Sequence, residues 1–269
     1  MRAKWEIRCN DCFITGGNMV FLKRFLLMIQ FLTAIPLPLR LEVENKDFGR
    51  GLVFAPVVGL IIGGILAGTF YLLGLIFPVY IAVIFIMIEY ILLTGGLHLD
   101  GLGDTFDGLF SNRPKERMLE IMRDSRVGTN AVLAIVSVFM MNAALLCGIG
   151  TENLFKILLL MPVAGRVGSL VGAGASNYAR SGEGLGKSFI DFCGVKEILL
   201  GLVFYSAIFH MVDNLRGLVI CTFPIVSSFL LVKFFSRKIG GATGDILGAV
   251  CELNQTVFLI VAYIVLKYR

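Results

Sequence analysis

Charge is scarce in this sequence. Only 16% of its 269 residues are Asp, Glu, Lys or Arg, against roughly 25% in soluble domains. Histidine occurs twice and tryptophan once. The first 18 residues lack a long apolar core, which excludes a signal peptide there. No Gly-x-x-x-x-Gly-Lys-Ser/Thr order occurs, so a Walker-type phosphate loop is absent. Cys9 and Cys12 form a lone CxxC without a second pair or a nearby histidine, short of the four ligands of a structural zinc site. Cys147, Cys193, Cys221 and Cys251 lie in or near apolar runs, where a thiol packs as a small hydrophobe. There is no internal repeat and no low-complexity tract.

What is abundant is apolar surface. Hydrophobic residues make up 57% of the chain and the mean hydropathy is +0.85. A soluble core of this length has no room for so much, so the solvent is lipid. The net charge of +5 does not indicate a nucleic-acid partner, because Lys and Arg fall in the loops between apolar runs. A crossing helix needs about 20 apolar residues. The runs 52–76, 78–97, 130–150, 155–175, 197–213, 216–235 and 246–266 meet that need, the fifth being the shortest. Residues 21–35 are apolar but run into Pro36-Leu37-Pro38, which predicts an interfacial or re-entrant helix. The expected fold is an all-α polytopic bundle of about seven transmembrane helices plus that N-terminal helix. With seven crossings, 19 Lys and Arg fall on one side and 4 on the other, with Arg166 inside a span. This puts the long loops in the cytoplasm of a bacterial or archaeal plasma membrane. Met19 opens the first basic amphipathic run. Residues 1–18 are therefore read as an upstream extension and 19–269 as one membrane-embedded domain.

The second run leads into Gly95-Gly96-Leu97-His98-Leu99-Asp100-Gly101-Leu102-Gly103-Asp104-Thr105-Phe106-Asp107-Gly108. Aspartates at i, i+4 and i+7 fall within about 60° on a helix and share one face. Like charges that close repel unless a cation lies among them. Hard carboxylate oxygens suit Mg²⁺, which binds through carboxylates, waters and phosphate oxygens. Asp100, Asp104 and Asp107 are thus the expected metal ligands, and the glycines around them are expected to let a bulky ligand approach. The EF-hand pattern is absent. His98, beside the aspartates, is a candidate base or a hydrogen-bonding neighbour.

The same loop continues to Arg123, Asp124, Arg126 and Gly128. Arginine forks match phosphate oxygens. Two further glycine-rich segments lie on that side: 177–187, with Arg180, and 240–248, with Asp245, followed by Glu252 in the last run. Glu89 and Arg166 fall inside spans. Each costs roughly 2.5–3.5 kcal/mol on insertion scales, so each is expected to face the interior with a partner.

Together these residues resemble the adenosylcobinamide-GDP ribazoletransferase (cobalamin synthase) family. The resemblance rests on Gln30-Phe31-Leu32-Thr33 with Ile35-Pro36-Leu37-Pro38, and on Gly95 to Leu102 with Asp104-Thr105 and Asp107-Gly108. It extends to Asp124-Ser125-Arg126 with Gly128-Thr129, Pro162 with Gly165-Arg166, Tyr178-Ala179-Arg180 with Gly184-Leu185-Gly186, and Gly244-Asp245 with Leu247-Gly248-Ala249 and Glu252. It covers 19–269, and the stretch around Asp100 is its specific part. Gly103 and Phe106 stand where the family pattern has alanine, flanking the aspartates without replacing them. The resemblance implies a Mg²⁺-dependent membrane enzyme. Its substrates are adenosylcobinamide-GDP and α-ribazole or α-ribazole 5′-phosphate, and its products are adenosylcobalamin, or its 5′-phosphate, and GMP. Under that chemistry Asp100, Asp104 and Asp107 hold one or two Mg²⁺ ions. Asp124 or Asp245 completes the shell or takes the hydroxyl proton, and Arg126, Arg166 and Arg180 neutralise phosphate oxygens. A homo-oligomer is compatible with all of this.

Three other readings fit less well. A CDP-alcohol phosphotransferase would show Asp-x-x-Asp-Gly followed by Ala-Arg, whereas glycine follows Asp100 directly. A membrane prenyltransferase would show Asn-Asp-x-x-Asp, which is missing. A transporter would use intramembrane charges such as Glu89 and Arg166 at the midplane, but the polar groups here cluster at one face.

Overall fold

The structure is a computed structural model that describes residues 17–267. The Cys9–Cys12 pair and the extension up to residue 16 lie outside the described residues. The described chain is an all-α polytopic membrane protein. Its helices are α1 (Gly17–Leu32), α2 (Asn45–Gly51), α3 (Ala55–Leu73), α4 (Val79–Thr94), α5 (Leu97–Leu109), α6 (Lys115–Ile121), α7 (Thr129–Gly148), α8 (Thr151–Gly174), α9 (Leu185–Asp191), α10 (Val195–Ile239) and α11 (Gly244–Lys267).

Counted by length and apolarity, five helical segments are able to cross a membrane, or six if the bent pair α4–α5 is one crossing. The 45-residue α10 is in fact two antiparallel arms. Asp213 and Asn214 leave helical geometry, and Asn214 has φ 51°. The Tyr205 hydroxyl donates to the Cys221 carbonyl at 3.1 Å, whereas 16 residues of straight helix would separate them by about 24 Å. A Cβ at Gly217 would overlap the Phe209 carbonyl, so the arms touch closely beside the turn. The arms, 195–212 and 215–239, match the fifth and sixth expected runs and bring the segments able to cross to six, or seven if the bent pair α4–α5 is one crossing.

At the centre stands α8, 83% of whose apolar window is buried, against 28% for the peripheral α7. Small residues admit its neighbours. Gly59 of α3 lies where a Cβ would come 2.8 Å from the Pro162 carbonyl, and Gly168 of α8 lies similarly 3.0 Å from the Val250 carbonyl of α11. Without a hydrophobic drive between helices in lipid, such close packing supplies the association energy.

The second crossing ends earlier than expected, at Thr94. Gly95 (φ 59°) and Gly96 (φ 69°) follow in the left-handed region that favours glycine. The chain bends there by 89°, so α5 turns away from the direction of α4. The N-terminal helix stops at Leu32, and the Gln30 amide donates to the Leu37 and Leu39 carbonyls, at 3.2 and 2.8 Å, clamping the proline turn. Asp47 of α2 then ties this helix down through Lys23 at 2.5 Å and Arg24 at 3.0 Å.

Candidate active site

The site is built where α5 meets the start of α11. A Cβ on Gly101 would stand 2.8 Å from the Asp245 carbonyl oxygen, and one on Gly248 would stand 3.2 Å from the His98 carbonyl oxygen. Glycine at both positions lets the two backbones touch, which sets Asp245 beside the aspartates of α5. The glycines of α5 therefore serve turns and interhelical contact, which corrects the expectation that they open space for a ligand. Gly103 packs on Ala131 and Gly108 on Met122.

Asp100 is exposed, and Asp104 and Asp107 are half-buried. Burial, followed by the nearby carboxylates of Asp100 and Asp245, pushes Asp104 up to about 7, against the opposing pull of Arg180. Burial together with like charges displaces this carboxyl, which places Asp104 among the perturbed groups that gather at functional sites. Asp107 carries a second duty. Its Oδ2 accepts from the Gly128 N–H at 2.6 Å and its Oδ1 from the Ala131 N–H at 3.0 Å, capping α7 across the chain. Each oxygen keeps a further lone pair.

Asp245 accepts from Arg180 Nη2 at 2.8 Å and from the Thr243 hydroxyl at 3.2 Å. Arg180 is held by a short parallel bridge between the two glycine-rich segments. There the Ala179 N–H donates to Ala242 O at 2.9 Å and the Ala242 N–H to Asn177 O at 2.8 Å. Gly241 fits this join because a Cβ there would lie 2.5 Å from the Asn177 oxygen. Asp100, Asp104, Asp107, Asp245 and Arg180 thus gather from three segments far apart in sequence.

Other expected residues fall elsewhere. Asp124 and Arg126 pair with each other at 2.6 Å on the loop before α7, with Arg126 86% exposed. That loop is anchored next to the site through Gly128. Arg166 is wholly buried, and its Nη1 donates to the Tyr90 hydroxyl oxygen at 3.1 Å. His98 is buried with Nδ1 3.6 Å from the Cys251 sulfur. Both sit in the core, out of reach of a ligand on the α5 face, and each has a local partner there. Glu89 finds a partner as expected, accepting from the Thr69 hydroxyl at 2.8 Å.

Sequence reasoning missed Tyr90 and Gln255. Tyr90 donates to Glu252 Oε1 at 2.6 Å, and the Gln255 amide donates to the Tyr90 oxygen at 2.8 Å and to Glu252 Oε2 at 3.0 Å. This network joins α4, α8 and α11 below the α4–α5 elbow. The signal was present in Glu252 and Gln255, polar residues one turn apart in an apolar run. Among the described residues, His98, Cys251 and Glu252 form the group whose ligand atoms lie within 4.8 Å of one another. There Arg166 and Glu252 already balance each other's charge, and a divalent ion beside a thiolate would leave a net positive core. The aspartates are more widely spread. That suits Mg²⁺ held by one or two carboxylates, with water and phosphate oxygens completing the shell, better than a closed three-aspartate cage.

The family model described as cobalamin-5-phosphate synthase matches residues 24–263. The chain belongs to this family. Among its relatives, the adenosylcobinamide-GDP ribazoletransferase of Clostridium acetobutylicum is 57% identical over 251 residues, covering 93% of this chain and 100% of that protein. The protein of the same name from Acetivibrio thermocellus is 61% identical over 246 residues, 91% of this chain and 99% of its own length. That of Thermoanaerobacter pseudethanolicus is 40% identical over 240 residues, 89% of this chain and 96% of its own. No solved structure matches. As a member of the cobalamin-5-phosphate synthase family, the chain is a transferase of cobalamin synthesis.

Proposed function

We propose that this enzyme transfers the adenosylcobinamide-phosphate group from adenosylcobinamide-GDP to a ribose hydroxyl of α-ribazole or α-ribazole 5′-phosphate. The hydroxyl oxygen bonds to the phosphorus that carries the cobinamide. The diphosphate bridge breaks, and GMP departs with the bridging oxygen. The observation that carries this reading is the meeting of Asp100 and Asp104 with Asp245 across two helices, beside one arginine. Phosphoryl transfer needs chiefly positioning and charge neutralisation. Mg²⁺ bound there would neutralise the diphosphate and fix its orientation.

In this reading Asp100, Asp104 and Asp245 offer the one or two carboxylates that would hold the ion, and Asp107 orients α5 and α7 while lending a lone pair. Arg180 faces the diphosphate oxygens. Asp124 and Arg126, on the loop anchored at Gly128, are the remaining groups able to reach the substrate, the first as a proton acceptor. His98 and Arg166 act through packing. The loops carrying these residues lie in the cytoplasm, where the lysine and arginine excess belongs. Membrane fractions given adenosylcobinamide-GDP, either acceptor and Mg²⁺ should release GMP with a cobalamin product, and EDTA should stop it. GMP release that persists in EDTA would remove the metal from the account, and no product from intact protein would remove the substrate pair.

A further inference from the structure

Helix α5 is weak on its own. Gly101, Gly103 and Gly108 all fall within it, and glycine loosens a helix interior. Its last turn has no basic residue, so its final carbonyls lack a cation of their own to complement them. That cation comes from α10. Lys238, in the last turn of α10, donates from Nζ to the Leu109 carbonyl at 2.8 Å and lies 4.3 Å from the centre of the Phe110 ring. Phe110 stacks on Phe106 with centroids 4.9 Å apart, and the buried Phe235 of α10 meets Phe106 edge-on at 6.3 Å. The end of α10 thus grips the C-terminal end of α5, and Phe106 within that grip is the chain neighbour of Asp107.

The same stretch of chain grips α5 a second time. After Lys238, Gly240 turns the chain in the left-handed region at φ 74°. Ala242 then makes the bridge that holds the Arg180 segment, and the Asp245 backbone packs on Gly101. Leu109 and Gly101 stand about 12 Å apart along the helix. Residues 238–245 therefore span α5 as a strap fastened at both ends, with Asp104 and Asp107 between the two fastenings and Asp245 on the strap itself. We propose that Lys238 is a positioning residue: by fastening the outer end of α5 to this strap, it sets Asp104 against Asp245. The inference rests on the reading of these carboxylates as the holders of the metal.

The test uses the purified full chain in nanodiscs, as wild type, Lys238→Met and Lys238→Arg. Lys238 is exposed, so methionine keeps an unbranched stem, removes the ammonium and should leave the melting temperature unchanged. Three quantities are read: amide hydrogen exchange over residues 104–110 without metal, Mn²⁺ affinity by electron paramagnetic resonance without substrate, and GMP release against Mg²⁺ concentration. In Lys238→Met the exchange should quicken, because the end of α5 opens more often. Mn²⁺ affinity should fall roughly three- to tenfold. The Mg²⁺ concentration for half-maximal rate should rise by the same factor, with KM for the acceptor unchanged. Lys238→Arg should recover most of each loss, since it restores both donor and cation. A cap that only stabilises would quicken exchange and leave metal affinity where it was; that outcome, or unchanged exchange, overturns the inference. A wild type that binds no Mn²⁺ removes instead the metal reading, and the positioning role with it.

Discussion

Replacing Arg180 by glutamine should tighten metal binding while slowing turnover. Arg180 is the cation paired with Asp245, at 2.8 Å, with the two side chains 13% and 24% exposed. A hydrogen bond to a charged group so shielded contributes about 1.5–3 kcal/mol. An incoming divalent ion must compete with that pairing for the same carboxylate. Without Arg180, Asp245 stands beside Asp104 and Asp100 with no internal counter-ion, and the ion gains what the pair has lost. At 1.4 kcal/mol per tenfold, affinity for Mn²⁺ in the absence of substrate rises about ten- to a hundredfold. Turnover falls, because the guanidinium is no longer there to neutralise the diphosphate. Mn²⁺ titration followed by electron paramagnetic resonance at pH 8, beside a GMP-release assay, reads both quantities. Simple loss of folding would weaken both together. A variant with unchanged or weaker Mn²⁺ affinity would refute the competition between Arg180 and the metal.

The elevated Asp104 gives a pH prediction. Its folded value, about 7, stands above the ordinary carboxylate range, so the folded state holds a proton that the unfolded chain has released. That stabilisation is complete below about pH 4 and is lost as pH rises through 7. The melting temperature in EDTA should therefore fall between pH 5 and 8, and Mg²⁺ should raise it more at pH 8 than at pH 5; equal shifts would contradict it. Gly128→Ala puts a Cβ 2.5 Å from Asp107 Oδ1, and loss of that cap should cost about 0.5–2 kcal/mol, measured by thermal denaturation beside Asp107→Asn. Gly101→Ala forces α5 from the Asp245 backbone and should depress turnover far more than stability, which paired activity and melting measurements check. Tyr90→Phe strips Glu252 of its 2.6 Å donor and should destabilise the protein by about 1–3 kcal/mol; an unchanged melting temperature would show that water replaces the hydroxyl.

The crossings were legible in the sequence because lipid leaves a mark on every residue of a span. Even the α10 hairpin shows as two apolar runs around Asp213 and Asn214. The elbow was foreshadowed by Gly95-Gly96, but its 89° bend depends on two consecutive left-handed residues, which composition does not specify. The shared face of Asp100, Asp104 and Asp107 followed from helical period alone. Their surroundings did not. Asp107 caps a helix 21 residues away, Arg180 meets Asp245 across 65 residues, and Tyr90 meets Glu252 across 162. Pairing at such distances is set by packing around α8, which no local pattern encodes. The same packing explains Arg166. An arginine in a span reads as a ligand-binding group, yet the fold buries it against Tyr90 and Glu252, where it balances a core carboxylate.

The most direct measurement is GMP and cobalamin production by purified Asp104→Asn protein with adenosylcobinamide-GDP, α-ribazole 5′-phosphate and Mg²⁺, beside its melting curve in EDTA at pH 8. Asparagine resembles the protonated carboxyl and relieves repulsion from Asp100 and Asp245. The account therefore predicts lost turnover in a protein that melts no lower than the wild type and gains little from Mg²⁺. Near-normal turnover, with the full Mg²⁺ shift retained, would contradict the claim that these carboxylates hold the metal and perform the transfer.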